Sequence, residues 1–201
     1  SGLMEEKNKT TSYVYEPHIP LMEADGLAII VDYIKKNEVR SILEIGTAVG
    51  FSAIIMAGQH EDIQVDSLEI KEDRYNQALV NISSINLEDR IHVHLMDAID
   101  FVTDKKYDLV FVDGPKAQYK SHMDHFMGNL ADDGIFIFDN LEFHGMVDDP
   151  SLTDNRNTKD LVRKIGDFRN EMLARDDFHV KYFKKVGDGV MFVKPKKIVN
   201  E

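Results

Sequence analysis

The stretch Tyr107–Tyr119, YDLVFVDGPKAQY, decides how the chain is read. It begins as a run of β-branched and aromatic residues of the kind that fills a strand buried on both faces. It then stops abruptly in Asp113-Gly114-Pro115-Lys116, which places a carboxylate and an ammonium at the strand's mouth.

Similar apolar runs lie on both sides: SILEIG (41–46), QVDSLEI (64–70), IHVHLMD (91–97) and GIFIFDN (134–140). The segments between them, GFSAIIMAG, EDRYNQALVNISSI and YKSHMDHFMGNL, carry apolar residues at helical spacing. Strands alternating with helices predict βαβ units around a parallel sheet. The third connection, AIDFVTDKK, is short and carries the weakest helical pattern. After residue 140 the pattern changes. NTKDLVRKIGDFRNEMLARDD predicts a long amphipathic helix, and HVKYFKKV and GVMFVKP, separated by Gly-Asp, predict a hairpin. The expected fold is α/β, a doubly wound, mostly parallel sheet of seven strands ending in a C-terminal antiparallel hairpin. Residues 1–201 are expected to form one domain, with 1–40 a helical lead-in and 41–201 the sheet-and-helix core.

With 201 residues, 43% hydrophobic and 30% charged, the composition is that of a soluble globular domain. No apolar run is long enough for a membrane span. The polar start SGLMEEKNKT reads as no signal peptide, with Ser1-Gly2 ahead of Met4 as added residues. Lacking cysteine, the chain has neither disulfides nor thiolate chemistry. A cytoplasmic protein of bacterial type is expected. The net charge of −12 speaks against nucleic acid as a partner, yet it is unevenly spread. Residues 156–197 carry 12 Lys/Arg against 6 Asp/Glu, so the acidic excess lies elsewhere. Such a basic segment either faces an anion or is a solvated helix and hairpin.

In open doubly wound sheets, ligands bind beyond the carboxyl ends of the strands. The five parallel strands all deliver a carboxylate there: Glu44, Glu69, Asp97, Asp113 and Asp139. One such residue is ordinarily a helix cap; five on one edge form a pattern. In EIGTAVGFS, Gly46 and Gly50 permit a tight turn and close approach to a ligand, but the G-x-G-x-x-G of dinucleotide-binding proteins is missing. Glu69 either ends a strand in solvent or holds two ribose hydroxyls. The ends of the fourth and fifth strands bring Asp113, Asp139 and Asn140 together. Two carboxylates and an amide suit Mg²⁺ or Mn²⁺, whereas the plainer reading makes Asp-Gly and Asp-Asn turn residues. Beside such a cation the Lys116 ammonium is disfavoured, so its pKa is expected to fall and Lys116 to serve as a base.

EIGTAVGFSAI, Asp113-x-x-Lys116, Asp139-Asn140 and the ending VGDGVMFVKPK together resemble the metal- and S-adenosylmethionine-dependent O-methyltransferases, the catechol and caffeoyl-CoA O-methyltransferase family. The resemblance runs from about Ile19 onward. IPLMEADG, NLEFHGMV and the basic helix are similar to the bacterial branch that includes tRNA 5-hydroxyuridine methyltransferases. It implies the class I, Rossmann-like methyltransferase fold. It also implies that Glu44, Gly46 and Ser52 line the methionine end of the cofactor, with Thr47 and Gly50 in the same loop. Glu69 would hold the ribose, Asp97 and Ala98 the adenine. Asp113, Asp139 and Asn140 would bind the metal, Asp113 also lying near the cofactor amine, with Lys116 the base. Gly114-Pro115 departs from the family's usual Ala-Ala or Ala-Asp, and the N-terminal region is short. A homodimer follows from the same resemblance.

The acceptor implied is a hydroxyl beside a second oxygen: 5-hydroxyuridine in tRNA, or a small catechol or phenol. Arg156, Lys159, Arg163 and Lys164 are candidates to grip RNA, with Phe51, Tyr119 and Phe143 available for stacking. An NAD-dependent oxidoreductase would share the sheet and Glu69 but has no use for the Asp-Asn pair. A non-catalytic adenosine-binding protein needs neither Lys116 nor a metal. His122 and His125 read as packed or solvated rather than ligating, His144 as a candidate substrate contact, and Met22, Met56, Met96 and Met123 as core or pocket wall.

Overall fold

The computed structural model describes residues 24–197. The Ser1-Gly2 start, the part of the helical lead-in before residue 24, Met22 and residues 198–201 lie outside the described residues.

Helix α1 (Ala24–Lys36) comes first, followed by β1 (Ser41–Ile45), α2 (Phe51–Ala57), β2 (Gln64–Glu69), α3 (Glu72–Ser84), β3 (Ile91–Leu95) and β4 (Tyr107–Val112). Then come α4 (Tyr119–Phe126), β5 (Leu130–Phe138), α5 (Arg156–Ala174), β6 (Phe178–Phe183) and β7 (Val190–Pro195). The seven strands make one sheet in the order β3-β2-β1-β4-β5-β7-β6. β1 to β5 pair in parallel, and β7 joins antiparallel to both β5 and β6. The expected architecture is the observed one.

Strand alternation builds two cores. In β4, Leu109 and Phe111 enter the layer that packs under α1, α2 and α3, and Val110 and Val112 enter the layer under α4 and α5. β5 divides in the same way, Ile135 and Ile137 on one side and Phe136 and Phe138 on the other. Successive side chains of a strand point to opposite faces, so a strand covered by helices on both sides must be apolar throughout. That explains the unbroken YDLVFV run.

Two departures have local causes. Between β3 and β4 only a 3₁₀ turn forms, Ala98–Asp100, capped by Asp97. The expected helix is absent because Val102, Thr103 and Asp104 are poor helix formers and the segment is too short to offset nucleation. β5 starts four residues early, at Leu130, and its pairing with β4 shifts register between Tyr107 and Leu109. Among the described residues no helix is long and apolar enough to cross a membrane.

Phe111 has no exposed surface and lies on the central strand. Replacing it with alanine is expected to cost about 3–5 kcal/mol in urea unfolding, whereas truncation of the exposed Val102 should change the midpoint little.

Candidate active site

The strand order reverses between β1 and β4, and a cavity of about 240 Å³ opens at that point beyond their carboxyl ends. Gly46, Glu69, Met96, Asp97, Asp113 and Lys116 are among the residues around it. Thus three of the five strand-end carboxylates share one cavity. Glu44 and Asp139 are buried and do not line it.

The loop after β1 is fixed by backbone necessity. Gly46 has φ +98, and a Cβ there would lie 2.3 Å from the Asp113 carbonyl oxygen. β1 and β4 can therefore converge at the cavity floor only through a glycine. Gly50 is also left-handed, at φ +91, but the atoms a Cβ would meet are Ala78 and Ile82 of α3. At 3.5 Å those are ordinary contacts, so it is the left-handed backbone of the turn that calls for glycine here.

Glu44 accepts hydrogen bonds from Ser52 Oγ and from Ser67 Oγ, the latter at 2.6 Å, and Thr47 Oγ1 joins Ser67 Oγ at 2.6 Å. Glu69 accepts three backbone N–H groups: Ala48 at 2.8 Å, Ile70 at 2.9 Å and Lys71 at 2.9 Å. The same carboxylate that was read as a ribose ligand thus clamps the loop carrying Ala48 to the end of β2. Asp97 Oδ1 accepts Ile99 N–H at 3.2 Å, so it caps the turn while facing the cavity. Ala98 is buried beside it.

Gly114-Pro115 finds its reason here. A Cβ on Gly114 would press to 3.0 Å against Ile45 of β1, and Pro115, at φ −58, launches the 3₁₀ turn Lys116–Gln118. The turn folds Lys116 back so that Nζ lies 2.5 Å from Asp113 Oδ1. Tyr119 donates to the Asp139 backbone carbonyl at 2.6 Å, and its ring lies 5.6 Å beneath Lys116 Nζ. Asn140 has φ +63, and its Nδ2 donates to Asp188 Oδ2 at 2.9 Å. Asp188 belongs to the β6–β7 turn and was missed in the sequence, where Gly-Asp-Gly reads only as a hairpin signal.

The family profile of the O-methyltransferases matches residues 1–196 of the chain. The chain belongs to the O-methyltransferase family. A Dictyostelium discoideum protein provisionally named caffeoyl-CoA O-methyltransferase 1 is 24% identical over 96% of this chain and 85% of its own length. A Staphylococcus aureus structure, provisionally named a caffeoyl-CoA O-methyltransferase, superposes with TM-score 0.85 at 27% identity, covering 97% of this chain and 91% of that one. A Bacillus cereus O-methyltransferase solved with S-adenosylhomocysteine has TM-score 0.77 at 23% identity over 98% of this chain and 91% of its own.

The electrostatics of this O-methyltransferase concentrate on the same edge. Glu44 is fully buried, and desolvation pushes its pKa up to about 8 despite the serine donors. Burial, then the facing Asp113, raises Asp139 to about 8 as well. Burial pulls the Lys116 ammonium down, but Asp113 and Tyr119 outweigh it, leaving the pKa above that of a free lysine. The expected fall belongs to a different state. The expectation assumed a cation beside Lys116, whereas its neighbour here is a carboxylate 2.5 Å away. His122 is packed, one of the two states expected for it. It borders the cavity, burial lowers its pKa, and neither ring nitrogen has a hydrogen-bond partner among the described residues.

As for a divalent cation, no group of three or more His, Cys, Asp or Glu among the described residues is arranged to hold one. The candidate set is two carboxylates and an amide, an all-oxygen set of the kind Mg²⁺ takes when water or substrate completes its shell. It fits in charge as well. Burial and then Asp113 raise the Asp139 pKa, an electrostatic stress that added positive charge would relieve.

Two measurements follow from these groups. A folded-state pKa of about 8 for Glu44, against 4.5 unfolded, means the native state keeps a proton that the unfolded chain releases. That stabilising effect is complete below about pH 4.5, falls as pH rises, and is exhausted above about pH 8, a change on the order of 5 kcal/mol. In Glu44→Gln the decline of melting temperature between pH 5 and 8 should accordingly be shallower. His122→Phe should raise the melting temperature by several degrees, since an unsatisfied buried polar atom costs about 1–3 kcal/mol and the adjoining cavity gives room for the ring.

Proposed function

We propose that this chain transfers the methyl group of S-adenosylmethionine to a hydroxyl oxygen that has a second oxygen beside it, with Asp113, Asp139 and Asn140 holding a divalent cation, Mg²⁺ or Mn²⁺. The observation that carries the reading is that Asp113 and Lys116, bonded to each other, line the cavity where the sheet order reverses, with the buried Asp139 at the end of the neighbouring strand. The S-adenosylhomocysteine in the Bacillus cereus relative supports the choice of cofactor.

S-adenosylmethionine supplies an electrophilic methyl group on a sulfonium. Glu44, Gly46, Thr47, Gly50 and Ser52 shape the loop for its methionine end, Glu69 faces the ribose, and Asp97 and Ala98 border the adenine. Asp113 can meet the cofactor's ammonium as well as the cation. A divalent cation, when bound, lowers the pKa of the acceptor hydroxyl and orients the oxygen pair. Lys116 takes the proton at Nζ. In the state described it is paired with Asp113 and protonated. Once Asp113 is engaged elsewhere, burial becomes the dominant influence on Lys116, and burial favours the neutral amine. The acceptor oxygen then forms its bond to the methyl carbon in line, while the carbon–sulfur bond breaks and its electron pair returns to sulfur. Holding the two reactants in that line accounts for roughly 7–11 kcal/mol of barrier lowering.

For the acceptor we infer 5-hydroxyuridine in tRNA, whose 5-hydroxyl stands beside the O4 carbonyl. Arg156, Lys159, Arg163 and Lys164, at the start of α5, supply cationic groups for the backbone. Arg163 and Lys164 are bonded to Asp160, at 2.6 Å and 3.2 Å. Exposed pairs of this kind are worth about 0–1 kcal/mol, so a phosphate displaces them at little cost. A small catechol or phenol is the second reading, supported by the caffeoyl-CoA names of the Dictyostelium and Staphylococcus relatives. Homodimerisation belongs to the same proposal and is read by light scattering.

The deciding test incubates the protein with S-adenosylmethionine, Mg²⁺ and hydroxyuridine-bearing tRNA, followed by mass spectrometry of the nucleosides. 5-Methoxyuridine that disappears on chelation is expected. A catechol methylated while tRNA is untouched would move the acceptor to the small phenol. Asp139→Ala should lose metal-dependent turnover and keep measurable S-adenosylhomocysteine binding. Full metal-free activity in that variant would sink the scheme.

A further inference from the structure

The loop after β5 is held in a conformation that its own residues disfavour. Asn140, Phe143 and His144 have φ of 63, 47 and 57, and Gly145 follows at 81. Three non-glycine residues in the left-handed region persist only where the surroundings over-determine them. One side chain supplies much of that constraint. Asp188 uses both carboxylate oxygens on this loop: Oδ2 accepts Asn140 Nδ2 at 2.9 Å, and Oδ1 accepts the His144 N–H at 2.7 Å. Its backbone is tied to the same loop, since Asp188 O accepts Glu142 N–H at 2.9 Å and Gly189 O accepts Leu141 N–H at 3.1 Å. From the other side, Gly187 N–H donates to Asp25 at the start of α1 at 2.9 Å. Asp188 is itself buried.

A primary amide is an acceptor at one end and a donor at the other. A carboxylate that takes Asn140 Nδ2 therefore settles which way round the amide stands, and Oδ1 is the end left for another partner. We infer that Asp188 is the positioning residue of the candidate metal site: it orients the Asn140 amide so that oxygen, not nitrogen, is presented beside Asp139. This rests on the proposed reading that Asp113, Asp139 and Asn140 hold a divalent cation. It adds a residue from the β6–β7 turn, 48 positions beyond Asn140. Groups that orient a metal ligand in this way typically change affinity 10–100-fold when removed.

The test needs no turnover. Mn²⁺ alone is titrated into the full chain, free Mn²⁺ is followed by electron paramagnetic resonance, and S-adenosylhomocysteine is titrated separately by calorimetry. In Asp188→Asn the new amide can donate to Asn140 Oδ1 and turn the ligand end away. Mn²⁺ affinity should then fall about 10–100-fold, with S-adenosylhomocysteine affinity unchanged. The double variant Asn140→Asp with Asp188→Asn exchanges carboxylate and amide, keeps the hydrogen bond and always presents an oxygen, so it should recover most of the lost Mn²⁺ affinity. Asp tolerates the left-handed backbone that position 140 requires. Wild-type Mn²⁺ affinity in Asp188→Asn overturns the positioning role and leaves the metal reading intact. Loss of both ligands together, or of folding, without recovery in the double variant makes Asp188 merely structural and overturns the role too. No Mn²⁺ binding by the wild-type chain overturns the metal reading and the role with it.

Discussion

Burial of carboxylates at one edge of the sheet, with their mutual repulsion added to it, is the constraint around which the rest of the site is arranged. Glu44 feels Asp113 and Glu69, and Asp139 feels Asp113 and Asp188, all with little water to screen them. The fold answers each differently. Glu44 receives two serine hydroxyls, Glu69 three backbone amides, Asp113 an ammonium and Asp188 an amide from Asn140 together with a backbone N–H. Asp139 is compensated least, and it stands beside Asn140 and opposite Asp113. A protein that buries an acid with so little compensation presents a place where added positive charge is most welcome. The sulfonium of the proposed cofactor and the proposed cation both bring it.

Topology is what makes that concentration unavoidable. Because β4 rather than β2 follows β1 on one side of the sheet, Ile45 and Val112 lie in register and their successors leave the sheet together. Gly46 and Asp113 then share a space that no Cβ could enter. Helices on both faces exclude water from the strands themselves, so the polar residues that the chain must place somewhere accumulate at the strand ends. The unbroken apolar run of β4 and the charge cluster at its mouth are two results of one arrangement.

Much of this was legible in the sequence because it is local. Strand runs, helical spacing and the acidic residue closing each strand are patterns within a few positions, and they gave the sheet, its order of elements and the cluster at its edge. What was not legible depends on distant partners. Asp188 looks like a turn residue until the hairpin packs against the loop after β5. His122 looks like an ordinary helix residue until its helix is laid against the cavity. The Lys116–Asp113 ion pair is placed by a turn whose course Gly114-Pro115 alone could not reveal. The missing helix after β3 is a different kind of error, one of length: residues 98–106 are too few to form a turn, a helix and an entry into β4.

The buried polar groups also have a consequence for how stability and activity are balanced. Above neutral pH the burial of Glu44 and Asp139 lowers the stability of the ligand-free fold, and so does His122, whose ring nitrogens have no partner among the described residues. The two apolar layers, anchored by Phe111 on one face and Phe136 and Phe138 on the other, carry the load that makes such groups tolerable. Substitutions that relieve the strand edge should therefore separate the two properties. A chain made more stable there is a chain less able to draw in a positively charged ligand, and that opposition distinguishes a binding edge from an edge that is merely acidic.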